Sequence, residues 1–88
     1  MFFVTLAKMR GPMDEEFSKR TSQFLAKPTG GIKIHQVLYT LGRYDIMILY
    51  EAPSEKEAMI AGMMFADKAA TETMVGIPLE EARKLLKR

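Results

Sequence analysis

The chain has 88 residues, no cysteine and a formal net charge of +2 from 13 basic and 11 acidic residues. That length makes one domain, residues 1–88, which alone would bury only about two thirds of its unfolded surface and is therefore expected to self-associate. Without cysteine there is no disulfide framework and no thiolate-ligated zinc, iron-sulfur or redox centre, and the expected setting is a reducing cytoplasm.

Both charge signs are interspersed, which is the pattern of a solvated surface and not of a nucleic-acid footprint. The one basic cluster, Arg83, Lys84, Lys87 and Arg88, falls where a final helix would set cations against its negative dipole end. The apolar start, Met1 to Ala7, is too short for a signal-peptide core and lacks a basic leader. No later run approaches the roughly 20 apolar residues that span a bilayer. Neither nucleic acid nor membrane is expected as a partner.

Phe2 to Lys8 is strand-like, with aromatic and β-branched residues at its start, and Gly11-Pro12 breaks it. Met13, Phe17, Thr21, Phe24 and Leu25 then fall at helical spacing, with Asp14, Glu15 and Glu16 in the first turn and Pro28 and Gly30-Gly31 beyond the end near Lys27. Ile32 to Leu41 is a second strand and Tyr44 to Glu51 a third. Within the second, Ile32 and Ile34 lie on one phase and Val37, Tyr39 and Leu41 on the other, so a bulge or a doubly buried strand is expected at His35-Gln36. Ser54 and Glu57 make the Ser-x-x-Glu box that opens a second helix, running to about Ala66. Ala69 to Val75 reads as a fourth strand. Pro78 suits the first turn of a last helix striped by Leu79, Ala82, Leu85 and Leu86. The order is βαββαβ with an added C-terminal helix: an α+β, ferredoxin-like arrangement with a four-stranded antiparallel sheet carrying both main helices on one face.

The other face of such a sheet is normally polar, and here it is not. In the third strand Tyr44, Ile46, Ile48 and Tyr50 share one face while Met47 and Leu49 sit on the other between Asp45 and Glu51. In the first, Phe2, Val4 and Leu6 oppose Phe3, Thr5 and Ala7. Apolar residues on both faces imply that something covers the second one. In a chain this short the simplest cover is another copy, two sheets facing each other across a two-fold axis around a lined interior.

The segment Tyr39-Thr40-Leu41-Gly42-Arg43-Tyr44-Asp45, followed by Glu51-Ala52-Pro53 and Thr71-Glu72-Thr73, resembles the GYD domain family of small bacterial and archaeal proteins. Gly42, Tyr44 and Asp45 carry the name motif, with Arg43 in the variable slot. The resemblance implies a dimeric α/β barrel built from ferredoxin-like protomers. More distantly the chain is similar to the effector-binding domains of Lrp/AsnC-type regulators and to antibiotic-biosynthesis monooxygenases. It has no helix-turn-helix for DNA, and no monooxygenase catalytic residues match onto it.

Physically, Gly42-Arg43 fits a two-residue hairpin with Gly where positive φ is needed, leaving Tyr44 to pack and Asp45 to pair with Arg43 or accept turn amides. The alternative sets Tyr44 or Asp45 at the mouth of the interior. His35, the only histidine, cannot build a multi-histidine metal site within one protomer. It reads as a structural histidine; if functional, its companions would be Tyr39, Tyr44, Asp45 and Glu72. Those five are the candidate cavity residues. The run AMIAGMMFA, with Met59, Met63 and Met64, reads as core packing on a ridge of Ala58, Ala61, Gly62 and Ala66, not as a copper site. No cofactor or metal is expected. Two functions follow: a homodimeric small-ligand-binding or assembly module, or a cofactor-free enzyme in which His35 or Asp45 moves a proton on an apolar or aromatic substrate.

Overall fold

The computed structural model describes residues 1–87, so Arg88 of the basic cluster lies outside the described residues. The elements are β1 (Phe2–Met9), α1 (Glu15–Ala26), β2 (Lys33–Tyr39), β3 (Ile46–Glu51), α2 (Glu55–Met63), β4 (Ala69–Gly76) and α3 (Leu79–Leu86). The strands form one sheet in the order β2-β3-β1-β4 with every neighbour antiparallel. This is the ferredoxin-like topology, and among the described residues no helix is long and apolar enough to cross a membrane.

Asp14 starts α1 by accepting the Phe17 amide at 2.8 Å. Its carboxyl is held below the usual range, first by that amide and then by Lys68, whose Nζ is 3.0 Å away. Arg20 ties the middle of α1 to the turn after α2 through Asp67 at 2.7 Å and the Met64 carbonyl at 3.1 Å. Phe17 and Phe24 are the buried positions of the helix, and they set it on the same side of the sheet as α2.

Strand register assigns the faces. Phe3, Thr5 and Ala7 pair with Tyr50, Ile48 and Ile46 on β3 and with Val75, Thr73 and Thr71 on β4. The buried members of this set meet Phe17, Phe24 and Ala58 in the core. The other face carries Phe2, Val4 and Leu6 against Glu51, Leu49 and Met47, with Glu72 and Met74 on β4. Both sheet faces are thus apolar, and the two main helices cover only one.

Several local expectations are corrected. The link from β2 to β3 is not a two-residue hairpin: β2 ends at Tyr39, β3 begins at Ile46, and the Thr40 amide closes a longer loop on the Asp45 carbonyl at 2.9 Å. Thr40 Oγ1 donates to the Tyr44 carbonyl at 2.6 Å, which holds Tyr44 out of the strand. Gly42 does adopt positive φ, at 105°. Helix α2 stops at Met63, where three-residue turns such as Phe65 to Gly62 replace the α pattern. Ser54 occupies its N-cap, but the hydroxyl bonds the Glu57 carboxylate and no backbone amide. Pro78 is the N-cap of α3, one residue before its first turn.

The methionines are not core. Met59 and Met63 are 66% and 68% exposed, because the short helix turns Ala58 and Ala61 toward the sheet instead, with Phe65 packing there from the turn that follows it. The expected bulge is present, as a register shift between Ile34 and Gln36 that leaves His35 as the extra residue.

Helix α3 stands apart, with none of its residues buried and Leu85 and Leu86 exposed by 61% and 84%. The Cα radius of gyration is 14.1 Å, against about 12 Å for a compact chain of this length.

Candidate functional site

Two places can hold chemistry: a cavity on the helix side of the sheet, and the open face. The cavity, about 270 Å³, lies between the sheet and the two main helices. It exists because its floor is built from short side chains, Thr5, Ala7, Ala69 and Thr71, while Ala61 and Gly62 face it from α2. Three phenylalanines brace the helices at its sides. The Phe65 ring packs edge-on against Phe17 and Phe24, with centroids 6.0 and 5.7 Å away.

Polar atoms in it are few and all are hydroxyls. Thr5 Oγ1 bridges the Tyr50 hydroxyl and Thr73 Oγ1, both at 2.9 Å. Thr21 Oγ1 on α1 is buried without a hydrogen-bond partner. Among the described residues no charged side chain lines the cavity. A more open groove of about 390 Å³ runs between α2 and β4, lined by Met59, Met63, Phe3 and Val75 among others.

On the open face two polar pairs frame the apolar centre. His35 Nε2 lies 2.6 Å from a Glu51 carboxylate oxygen, and its ring leans on Phe2 with centroids 5.6 Å apart. The Tyr44 hydroxyl donates to the Glu72 carboxylate. That carboxylate raises the phenol above its ordinary value, with burial adding to the effect and Arg43 opposing it. Glu51 and Glu72 sit beside Phe2 and Leu6 of β1. Four residues of strand separate those positions, about 13 Å.

The five expected residues therefore do not form one site. Tyr39 is on the helix side, at the exposed edge of the cavity. Tyr44 and Glu72 meet each other on the opposite face. His35 is at the far end of that face, and Asp45 turns to β1, where its carboxylate accepts the Met9 amide at 2.7 Å. Asp45 does not pair with Arg43; its cation is Lys8, at 3.9 Å, while Arg43 lies over the Tyr44 ring at 5.8 Å. Asp45 continues the β1–β3 ladder past the last strand pair, since its own amide also donates to the Ala7 carbonyl at 2.8 Å. Neither His35 nor Asp45 lines the helix-side cavity.

Pattern reading missed the cavity altogether. Its one legible sign was Thr21, a hydroxyl placed at an apolar position of the α1 stripe. Among the described residues, no group of three histidine, aspartate or glutamate side chains is placed to hold a metal ion.

Searches among curated proteins and among solved structures find no match to this chain. The family model described as GYD domain matches residues 7–86. That span takes in Gly42, Tyr44 and Asp45, whose geometry has just been given: a positive-φ turn, a bond across the sheet and a strand-end clamp. With all but the ends of its 88 residues matched, the chain belongs to the GYD domain family.

Proposed function

We propose that this protein is a small-ligand-binding module that works as a homodimer, two sheets packed by their open faces into an α/β barrel. The observation that carries the reading is the apolar centre of the uncovered face, where Val4, Leu6, Met47 and Leu49 are adjacent by register. Leu38 and Met74 extend that patch to both edge strands, and both are exposed. The protomer exposes 6407 Å² at a mass of 10.0 kDa. A compact monomer of that mass exposes about 5,200 Å². The excess is comparable to the roughly 800 Å² per partner that a stable interface buries. The leucine stripe of α3, unpartnered within the protomer, is further surface for a second copy. In this reading the protein works in the cytoplasm, where a chain without cysteine forgoes nothing.

Light scattering tests the assembly. The wild type should have twice the 10.0 kDa protomer mass, and Leu49→Asp, which places a charge at the centre of the buried face, should be monomeric. A wild-type monomer at micromolar concentration overturns the dimer. What supports the other half of the reading is the cavity itself, walled by apolar side chains and floored by small residues.

A further inference from the structure

We infer that the helix-side cavity binds a neutral, ring-bearing small molecule with one hydroxyl or carbonyl group, held by Thr21 from α1 and Tyr50 from β3. The inference rests on the ligand-binding reading above and specifies where the ligand sits and what kind it is.

Neutrality follows from the walls. With no charged side chain among the described residues lining about 270 Å³ of space, an ionised ligand would lose its hydration and gain no partner. Ring character follows from Phe17, Phe24 and Phe65, all lining the space, with the Phe65 ring edge-on to each of the other two. Aromatic faces and edges favour a flat partner over a flexible chain.

The single polar group follows from hydrogen-bond accounting. Thr21 Oγ1 is buried and unpaired, and a buried hydroxyl with no partner is a cost that a ligand can remove. Across the space, Tyr50 is buried and uses its hydroxyl in one bond to Thr5, which also bonds Thr73. Thr5 has one hydrogen to give. If it gives it to Thr73, Tyr50 donates to Thr5 and keeps an oxygen lone pair; if it gives it to Tyr50, Tyr50 keeps its own hydrogen for the cavity. Either direction leaves Tyr50 able to bond a ligand hydroxyl or carbonyl. Tyr39 and Leu25, both exposed, mark the way in.

The experiment is a fluorescence titration of the full chain with 2-naphthol and, separately, with naphthalene. The wild type should prefer 2-naphthol by about three- to tenfold, the value of one neutral hydrogen bond. Thr21→Val keeps the shape and removes one of the two hydroxyls that hold the ligand, so its preference for 2-naphthol should shrink while its affinity for naphthalene holds; an undiminished preference would overturn the part given to Thr21. Ala61→Leu fills the space from α2 and should weaken both probes by more than about tenfold while Tm holds or rises. If Ala61→Leu does not fold, methyl chemical shifts decide in the wild type, where Ile46 and Ile48 line the cavity and should move on addition of 2-naphthol.

Absence of binding by either probe, equal affinity of the two probes for the wild type, unaltered binding by folded Ala61→Leu, or unmoved Ile46 and Ile48 methyls each overturn the inference. The monomeric variant Leu49→Asp should bind 2-naphthol as the wild type does, since the site lies within one protomer. Loss of binding in folded Leu49→Asp would place the ligand between the sheets, overturning this site and leaving the dimer intact. A wild-type monomer that binds 2-naphthol would do the reverse.

Discussion

The Tyr44 hydroxyl reaches over β1 to bond the Glu72 carboxylate, joining the β2–β3 loop to the far edge strand of the sheet. The family motif thus serves as a strap across the open face. Because the carboxylate favours the protonated phenol, Tyr44 titrates above the ordinary tyrosine value. A raised folded value means that the contribution to stability is fully present below about pH 10 and is lost as pH rises through the folded value. Glu72→Gln should bring the Tyr44 titration down toward the ordinary value. Tyrosinate absorbance, with Tyr44→Phe subtracted to isolate the residue, measures this; an unchanged titration in Glu72→Gln would show that the carboxylate is not the cause.

Asp45 should be a stability residue. Its carboxylate takes the Met9 amide just where β3 has left the ladder. Asp45→Ala leaves that amide unpaired and should lower stability by about 1–2 kcal/mol in urea denaturation. Asp45→Asn keeps an acceptor oxygen and should recover most of the loss; a neutral Asp45→Ala would contradict the clamp.

Gly42 tests the turn. Its φ of 105° is unfavourable for a β-branched residue, while open space surrounds the position where a Cβ would sit. The cost of substitution is therefore backbone strain alone, roughly 1–3 kcal/mol for Gly42→Val and less for Gly42→Asn. Thermal denaturation should rank wild type above Asn above Val. Wild-type stability of the valine variant would argue that the loop relaxes freely.

Asp14 makes stability depend on acid pH. Its folded value is depressed by the Phe17 amide and by Lys68, so its contribution is fully present above the ordinary carboxylate value of 3.8 and is lost as pH falls through the lower folded value. Asp14→Asn keeps the cap and removes the charge; Asp14→Ala removes both. In thermal melts near neutral pH, stability should fall in the order wild type, Asn, Ala. The gap between wild type and Asn should narrow below about pH 3.8. A gap that stays constant as pH falls well below that value would assign the effect to something other than the carboxylate charge.

Element order, the bulge beside His35 and the apolar second face could all be read from the sequence, whereas Tyr44, expected on the face of Ile46, lies outside β3 and bonds Glu72 on the opposite one. The legible features depend on periods of two or 3.6 residues and on Gly and Pro punctuation, which are local properties of the chain. The polar candidates were a different matter. Tyr44 and Asp45 belong to the same four-residue motif, yet one crosses to β4 and the other clamps β1, because a loop longer than two residues lets successive side chains leave in different directions. Glu72 was assigned correctly to the face opposite Thr71 and Thr73, and alternation could not say that Tyr44 would meet it there. The methionines of α2 match a core stripe by composition alone; the face a short helix presents is chosen by what the sheet leaves room for, and Ala58 and Ala61 fill it together with Phe65 from the following turn.

The cavity marks the limit most plainly. Thr5, Ala7, Gly62, Ala69 and Thr71 come from three separate elements, and each is unremarked as a small residue in its own element. Only when β1, β4 and α2 pack together do their missing side chains add up to one space. Local sequence determined the order of the elements and the apolar character of both sheet faces, whereas the ends of β2, β3 and α2 moved from where pattern alone set them. The tertiary structure alone decided where volume is left over, because a void is a sum over neighbours distant in the chain.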